Sequence, residues 1–225
     1  MNIKNLHCLH RHGIETHPNC FAKGLIKYPD AKTYEKFSGK PWYTYSGYKI
    51  GYIDIETDGL KADFSTMLSW CIKDKDGGYT YSVITKEELF NGTVDKRLVK
   101  ELVDKMNEYA ILVGYYSTNF DLPYIRTKAI HYDIDFPAYA TIYHFDLYYT
   151  VKSKTCLSRK SLDNACQYFN INGKTPLDKN VWRSAKYGDR NSLLQVLEHN
   201  KYDCAILEEL HDKLEFTKKW IKTSI

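Results

Sequence analysis

Long hydrophobic runs are absent from this sequence of 225 residues. No stretch reaches the roughly 18 apolar residues that a membrane-spanning helix needs, so we expect no membrane partner. The first residues, MNIKNLHCLHRHG, lack the apolar core of a secretory signal. We therefore expect an intracellular, cytoplasmic protein, whether it is cellular or virus-encoded and acting in a host cell.

Cysteine is sparse, and the six cysteines do not form the dense framework of a small secreted domain. Cys71 and Cys166 lie in apolar patterns, which predicts buried small side chains. Cys8 and Cys20 differ from these, because several histidines surround them.

Neither sign of charge is scarce, and the net charge of +4 permits a polyanionic partner without requiring one. Hydrophobic residues make up 43% of the chain and charged residues 27%, which is ordinary for a soluble globular protein. The 20 tyrosines could stack on bases, although we expect most of them to be wall and core residues.

Two regions differ in composition. Residues 1–45 are rich in His, Lys, Gly, Pro and Tyr and show no sustained helical or strand period. From Tyr48 onward, strand and helix patterns alternate, which indicates an α/β domain over residues 46–225. We interpret residues 1–45 as a small appendage and linker.

The order of elements within the larger region can be predicted from periodicity. Val94, Leu98, Leu102 and Met106 repeat every fourth residue, as on one face of a helix. The segment 75–78 is a hairpin turn signal. The predicted strands are Tyr48–Ile55, Met67–Lys73, Tyr79–Ile84, Ala110–Tyr116 and Thr141–Tyr148. The predicted helices are Val94–Tyr109, Asp121–Ile130, one capped by Ser161 and running through Phe169, and Asn191–Lys222 with one or two breaks.

Asp54 and Glu56 lie two residues apart on an otherwise apolar strand, so their side chains share one face of the sheet. Two acids on one face repel each other and lose hydration, and a bound divalent cation removes that conflict. The alternative is an edge strand on which both acids are solvated.

Two further acids occupy positions that suit a site. Asp121 follows a predicted buried strand, although a capping role at the next helix is equally ordinary. His199 and Asp203 are one helical turn apart, and a solvent-exposed pair at this spacing is common.

In combination these residues resemble the DnaQ-like (DEDD) 3′–5′ exonuclease superfamily, in a poorly characterised bacterial and viral branch. The first motif is Asp54-Ile55-Glu56-Thr57-Asp58-Gly59-Leu60, the second is Asn119-Phe120-Asp121, and the third is His199-Asn200-Lys201-Tyr202-Asp203. The similarity covers roughly residues 48–215. It implies a ribonuclease H-like mixed β-sheet flanked by helices, which the predicted order of elements also favours.

The resemblance also implies a reaction. Asp54, Glu56, Asp121 and Asp203 would bind two Mg²⁺ or Mn²⁺ ions, and His199 would act as general base. The family carries a tyrosine at this spacing from the last aspartate, or a histidine one residue earlier, so His199 departs from the pattern.

The same resemblance assigns substrate contacts. Thr57, Leu60 and Asn119 would touch the terminal nucleotide, although ordinary turn and packing roles are equally consistent with them. The implied partners are 3′ ends of single-stranded or frayed DNA or RNA, and the products are nucleoside 5′-monophosphates.

The histidines near the N-terminus suggest a second metal. Two cysteines with two histidines form an accepted tetrahedral zinc set. His17 and Cys20 have a tight spacing, and Cys8 with His10 or His12 would complete the set. We predict Zn²⁺ bound by Cys8, His12, His17 and Cys20, against the alternative of a basic arm that binds nothing specific.

Two other functions remain open. An exonuclease-like fold could grip nucleic acid without cutting it, and the unusual spacing of His199 is the support for that hypothesis. Alternatively, the N-terminal cluster could be the centre of a zinc-assisted endonuclease, which would leave the four acids unexplained.

Overall fold

The computed structural model describes residues 6–28, 31–38, 49–138, 141–172 and 176–214. The N-terminal part contains four short elements. These are β1 (His7–Cys8), α1 (Pro18–Ala22), β2 (Ile26–Lys27) and α2 (Ala31–Ser38). The two strands pair antiparallel. Elements this short leave no extended period in the sequence. The predicted boundary between residues 45 and 46 lies outside the described residues.

A five-stranded mixed sheet forms the centre of the larger region, with strand order β5-β4-β3-β6-β7. Its strands are β3 (Ile50–Thr57), β4 (Met67–Asp74), β5 (Tyr79–Val83), β6 (Ile111–Gly114) and β7 (Tyr143–Asp146). β3, β4 and β5 form an antiparallel meander. β6 and β7 then run parallel to β3. The mixed sheet predicted from the sequence is confirmed, with β3 at its middle.

Seven helices surround the sheet within the described residues of this region. They are α3 (Lys86–Phe90), α4 (Lys96–Met106), α5 (Asp121–His131), α6 (Leu147–Lys154), α7 (Leu162–Tyr168), α8 (Lys179–Lys186) and α9 (Arg190–Leu214). None of the helices in the described part of the chain combines the length and the apolarity needed to cross a bilayer.

The apolar core lies on both faces of the sheet. Ile53 and Ile55 pack with α4 and α5 on one face. Tyr52 packs with α6, α7 and α9 on the other face. Since successive side chains of a strand alternate between faces, Asp54 and Glu56 share the α9 face with Tyr52. The central position of β3 excludes the alternative of a solvated edge strand.

Three sequence predictions need correction. The strand predicted over Thr141–Tyr148 shortens to β7, because the Asp146 carboxylate accepts a hydrogen bond from the backbone N–H of Tyr148 and starts α6. Helices α3 and α8 were not predicted, since each is less than three turns long. α9 is continuous through Leu214 where breaks were expected. Residue 48 and the predicted helical stretch 215–222 lie outside the described residues.

Candidate functional site

The centre of the site is formed where α9 crosses the middle of the sheet. Nε2 of His199 lies 3.8 Å from Oε1 of Glu56 and 3.9 Å from Oδ2 of Asp203. The ligand atoms of all three residues lie within 4.8 Å of one another. His199 and Asp203 are buried, and Glu56 is partly buried. Glu56 comes from β3, so the group exists only because strand and helix pack together.

Asp54 is bound by an amide of the same helix, α9. Nδ2 of Asn200 donates a hydrogen bond of 2.7 Å to Oδ2 of Asp54. Asn200 is fully buried on α9, between His199 and Asp203 in sequence. Asn200 was not predicted as a site residue, although a polar side chain on the buried face of a helix is itself a signal.

Asp121 lies at the start of α5, in contact with β3. Its Oδ1 accepts a hydrogen bond of 3.2 Å from the backbone N–H of Ile55, between the two acids of the strand. Burial raises the pKa of Asp121 to about 7, and the carboxylate of Asp146 adds to the shift. A positive charge bound next to this carboxyl would favour its ionised form.

The four acids are therefore distributed unequally. Glu56 and Asp203 belong to the close group with His199, whereas Asp54 and Asp121 lie outside that group of three. Asp54 accepts its hydrogen bond from Asn200, which is next to His199 in sequence. Asp121 accepts its hydrogen bond from the backbone of Ile55, which is next to Glu56. Carboxylate oxygens are the donors that suit Mg²⁺ or Mn²⁺, so the four acids fit such ions.

The loop that leads from β6 to Asp121 is held by Asp146. The carboxylate of Asp146 accepts hydrogen bonds from the backbone N–H groups of Tyr116, at 2.8 Å, and Thr118, at 3.0 Å. Tyr116 adopts a left-handed backbone with φ of 60°, which needs support from its surroundings. Asp146 is thus a positioning residue, and it was not predicted as part of the site.

A shallow groove beside the acids is lined by the loop after β3 and by α8. Oγ1 of Thr57 donates a hydrogen bond of 2.7 Å to the carbonyl of Gly59. Leu60 is 79% exposed at the rim of this groove. Arg183 and Lys186 of α8 face it, and neither was predicted as a site residue because their helix was not predicted.

Asn119, the third predicted substrate residue, is exposed in the loop before Asp121. Its Nδ2 donates a hydrogen bond of 2.9 Å to Oη of Tyr149. Thr57 and Leu60 therefore line the groove, whereas Asn119 contacts Tyr149 of α6 instead.

The N-terminal part contains a second group of ligand-type residues. The sulfur and nitrogen atoms of Cys8, His10, His17 and Cys20 lie within 4.8 Å of one another. Burial lowers the pKa of His10, and its two histidine neighbours lower it further. Partial desolvation lowers the pKa of His17, and the neighbouring His12 lowers it further. The neutral imidazole, the form that binds metals, is thereby favoured.

The predicted zinc set differs from this group at one position. His12 was expected as a ligand, but it is exposed and its Nδ1 lies 3.1 Å from Nδ1 of His17, outside the group. The reason is a tight turn in which the backbone N–H of Cys8 donates to the carbonyl of His12 at 2.8 Å. This turn brings the ring of His10 to the sulfur of Cys8 in place of His12.

Comparisons with known proteins give consistent similarities. A family model described as the RNase_H superfamily matches residues 51–215. A DNA polymerase of Methanocaldococcus jannaschii is 33% identical over 67 residues, or 28% of this chain and 4% of the polymerase. The family B DNA polymerase from the hyperthermophilic archaeon Pyrobaculum calidifontis has a similar fold, with a TM-score of 0.62 and 20% identity over 75% of this chain and 24% of that chain. The chain thus spans only a small part of either polymerase, and at this identity the structural similarity concerns the fold alone.

Proposed function

The chain belongs to the RNase H superfamily, and from this premise we propose that it is a metal-dependent 3′–5′ exonuclease. Its substrates would be 3′ ends of single-stranded or frayed DNA or RNA, and its products nucleoside 5′-monophosphates. The observation that carries the proposal is the close approach of Glu56, His199 and Asp203 beside an open groove. A superfamily of nuclease-like fold supports a nucleic acid substrate, whereas the direction of degradation rests on the three sequence motifs.

The carboxylates provide the places for two divalent ions. Glu56 and Asp203 offer oxygens on one side of β3, and Asp54 and Asp121 complete the set from adjacent positions. When bound, Mg²⁺ or Mn²⁺ supplies Lewis-acid activation of the phosphodiester and of the attacking water. The protein's part is to hold four acids together that would otherwise repel one another.

His199 is suited to accept the proton of the attacking water. Its Nε2 faces both Glu56 and Asp203, and the ring of Trp182 meets the imidazole edge to face with centroids 6.2 Å apart. These contacts hold the ring at the acids despite its unusual position in the motif. In the reaction, water adds to the terminal phosphorus, the bond from phosphorus to the 3′ oxygen breaks, and that oxygen takes up a proton.

The groove beside the acids is suited to the terminal nucleotides. Arg183 and Lys186 offer positive charge to phosphates, and the exposed Leu60 offers an apolar surface to a base. Thr57 stands at the junction of groove and acids, while Asn119 would reach the substrate from the side of α6.

The test is degradation of 5′-labelled single-stranded DNA and RNA in Mg²⁺, Mn²⁺ or EDTA. We expect a metal-dependent ladder that shortens from the 3′ end, with nucleoside 5′-monophosphates as products. Asp54→Ala and Asp203→Asn should lower the rate by roughly 10²-fold or more. Asp212→Asn is the matched control, since Asp212 lies on the same helix but contacts Lys75 at the surface.

Other outcomes of this experiment assign the other functions. Binding of the labelled strand without cleavage in either metal would favour the non-catalytic module. Internal cleavage of a circular strand that survives Asp54→Ala would point to the N-terminal group instead, and either result would reject the exonuclease.

A further inference from the structure

We propose that the N-terminal segment, residues 6–28, holds a structural Zn²⁺ ion bound by Cys8, His10, His17 and Cys20. The ion would fasten this segment to the edge of the central sheet. Two thiolates and two imidazoles are a common donor set for structural zinc. The proposal is independent of the nuclease reaction, because none of these residues belongs to the acidic site.

The distances between the ligand atoms match a tetrahedral zinc site. With zinc bonds of about 2.3 Å to sulfur and 2.0–2.1 Å to nitrogen, the edge between a sulfur and a nitrogen should be about 3.6 Å. Sγ of Cys8 lies 3.7 Å from Nδ1 of His10 and 3.5 Å from Nδ1 of His17. Sγ of Cys20 lies 3.5 Å and 4.0 Å from the same two nitrogens. All four mixed edges thus fit one central ion.

The burial of the ligands fits a closed structural site rather than an open catalytic one. Cys8 and Cys20 are fully buried, and both imidazoles are partly buried. Structural zinc sites are closed in this way, with all four positions taken by protein ligands.

The local backbone explains why these four residues converge. The backbone N–H of Arg11 donates to the carbonyl of Cys8 at 2.8 Å, and Arg11 adopts a left-handed φ of 69°. This turn places His10 over Cys8. At the other pair, the backbone N–H of Cys20 donates to the carbonyl of His17 at 3.1 Å, at the start of α1. Two short turns therefore each present one sulfur and one nitrogen.

The N-terminal segment has little else to hold it together. Its buried residues form two small groups, Leu6, Ile26 and Tyr28, which pack with Tyr34 of α2, and Cys8, Cys20 and Leu25. β1 and β2 contribute two residues each. Units of this size usually need a disulfide or a metal in addition to their apolar core.

One of the ligands also forms the contact with the sheet. The ring of His10 lies 5.4 Å from the ring of Tyr143 on β7, measured between centroids. Ala110, just before β6, packs against the group formed by Cys8, Cys20 and Leu25. Because His10 touches both the ligand group and the sheet, fixing its ring with a metal would fix the segment on the domain.

The test is the zinc content of the full chain, purified without a polyhistidine tag and measured by inductively coupled plasma mass spectrometry. We expect about one zinc per chain, with loss in His10→Ala and in Cys20→Ser. His12→Ala and Cys156→Ser are the matched controls, since His12 and Cys156 are exposed and lie outside the ligand group. Both controls should keep their zinc.

A second measurement on the wild-type chain guards against variants that fail to fold. Addition of Co²⁺ to zinc-depleted protein should give the visible bands of tetrahedral cobalt and a thiolate charge-transfer band. Absence of zinc before and after equimolar addition would overturn the proposal, as would an octahedral cobalt spectrum. So would a disulfide between Cys8 and Cys20, or zinc loss in His12→Ala with retention in His10→Ala. Normal nuclease activity in zinc-free protein would leave the exonuclease proposal intact.

Discussion

The amide of Asn200 donates a hydrogen bond of 2.7 Å to the carboxylate of Asp54 across the gap between α9 and β3. Asn200 is buried, so this bond is shielded from competing water. It fixes the orientation of the Asp54 carboxylate. The acidic site therefore depends on a neutral residue that the sequence motifs do not single out.

The first prediction concerns this bond. Asn200→Ala should lower the rate of nucleotide release by about 10–100-fold and raise the Mg²⁺ concentration needed for half-maximal rate, because residues that orient metal ligands have effects of that size. Titration of the rate with Mg²⁺ measures both. Gln195→Ala is the control, since Gln195 is an exposed amide on the same helix. An unchanged Mg²⁺ dependence in Asn200→Ala would contradict the positioning role.

The second prediction concerns His199, which stands where the resembling family has a tyrosine. His199→Ala should lower kcat by roughly 10²–10⁴-fold, which is the usual contribution of a general base. His199→Tyr should retain more activity than His199→Ala, because a phenol at this position can also face Glu56 and Asp203. Single-turnover rates at saturating Mg²⁺ are the measurement. Equal rates in wild type and His199→Ala would show that another group accepts the proton.

Only part of the acidic site follows from local sequence patterns. Asp54 and Glu56 could be placed on one face because strand alternation is local. The contact between Glu56 and His199 joins residues far apart in the chain. Before the fold was known, only the resemblance to the three motifs predicted that these two residues share a site. Asn200 escaped notice because its role depends on which face of α9 meets β3.

The shorter elements show a second limit of sequence patterns. α8 contains too few turns for a clear period, although Asp178 accepts a hydrogen bond from the backbone N–H of Asn180 as an N-cap. β7 and α6 merge into one run of aromatic residues, which favours a strand throughout. In the N-terminal segment, a single turn determines whether the ring of His10 or that of His12 lies next to the sulfur of Cys8.

The third prediction concerns the cationic side of the groove. Lys186→Ala and Arg183→Ala should raise KM several-fold with little change in kcat, because in the proposed complex both side chains would bind phosphates rather than the reacting bond. Nζ of Lys186 lies 3.3 Å from Oδ2 of Asp58 at the same groove. Each should also reduce the salt dependence of KM, by about 0.7 in the slope for one lost contact to a single strand. Lys179→Ala, at the exposed start of the same helix, is the control. A drop in kcat at unchanged KM would contradict the assignment.

The last prediction concerns pH and the loop before Asp121. Nε2 of His144 lies 2.8 Å from Oγ of Ser117, and burial lowers the pKa of His144, although Asp146 opposes the shift. A histidine with a lowered folded-state pKa stabilises the fold above its unfolded pKa of about 6.5. That contribution is lost as the pH falls below this value, because the unfolded chain then takes up the proton first.

The free energy of unfolding should therefore fall more steeply between pH 7.5 and pH 5.5 in wild type than in His144→Gln. Glutamine keeps a hydrogen-bonding group near Ser117 but does not titrate. The variant therefore separates the effect of protonation from the effect of the hydrogen bond. Urea denaturation across this range is the measurement, with His131→Gln as the control, since His131 is exposed at the end of α5. If the free energy of unfolding changes with pH equally in wild type and His144→Gln, the imidazole of His144 does not cause the pH dependence.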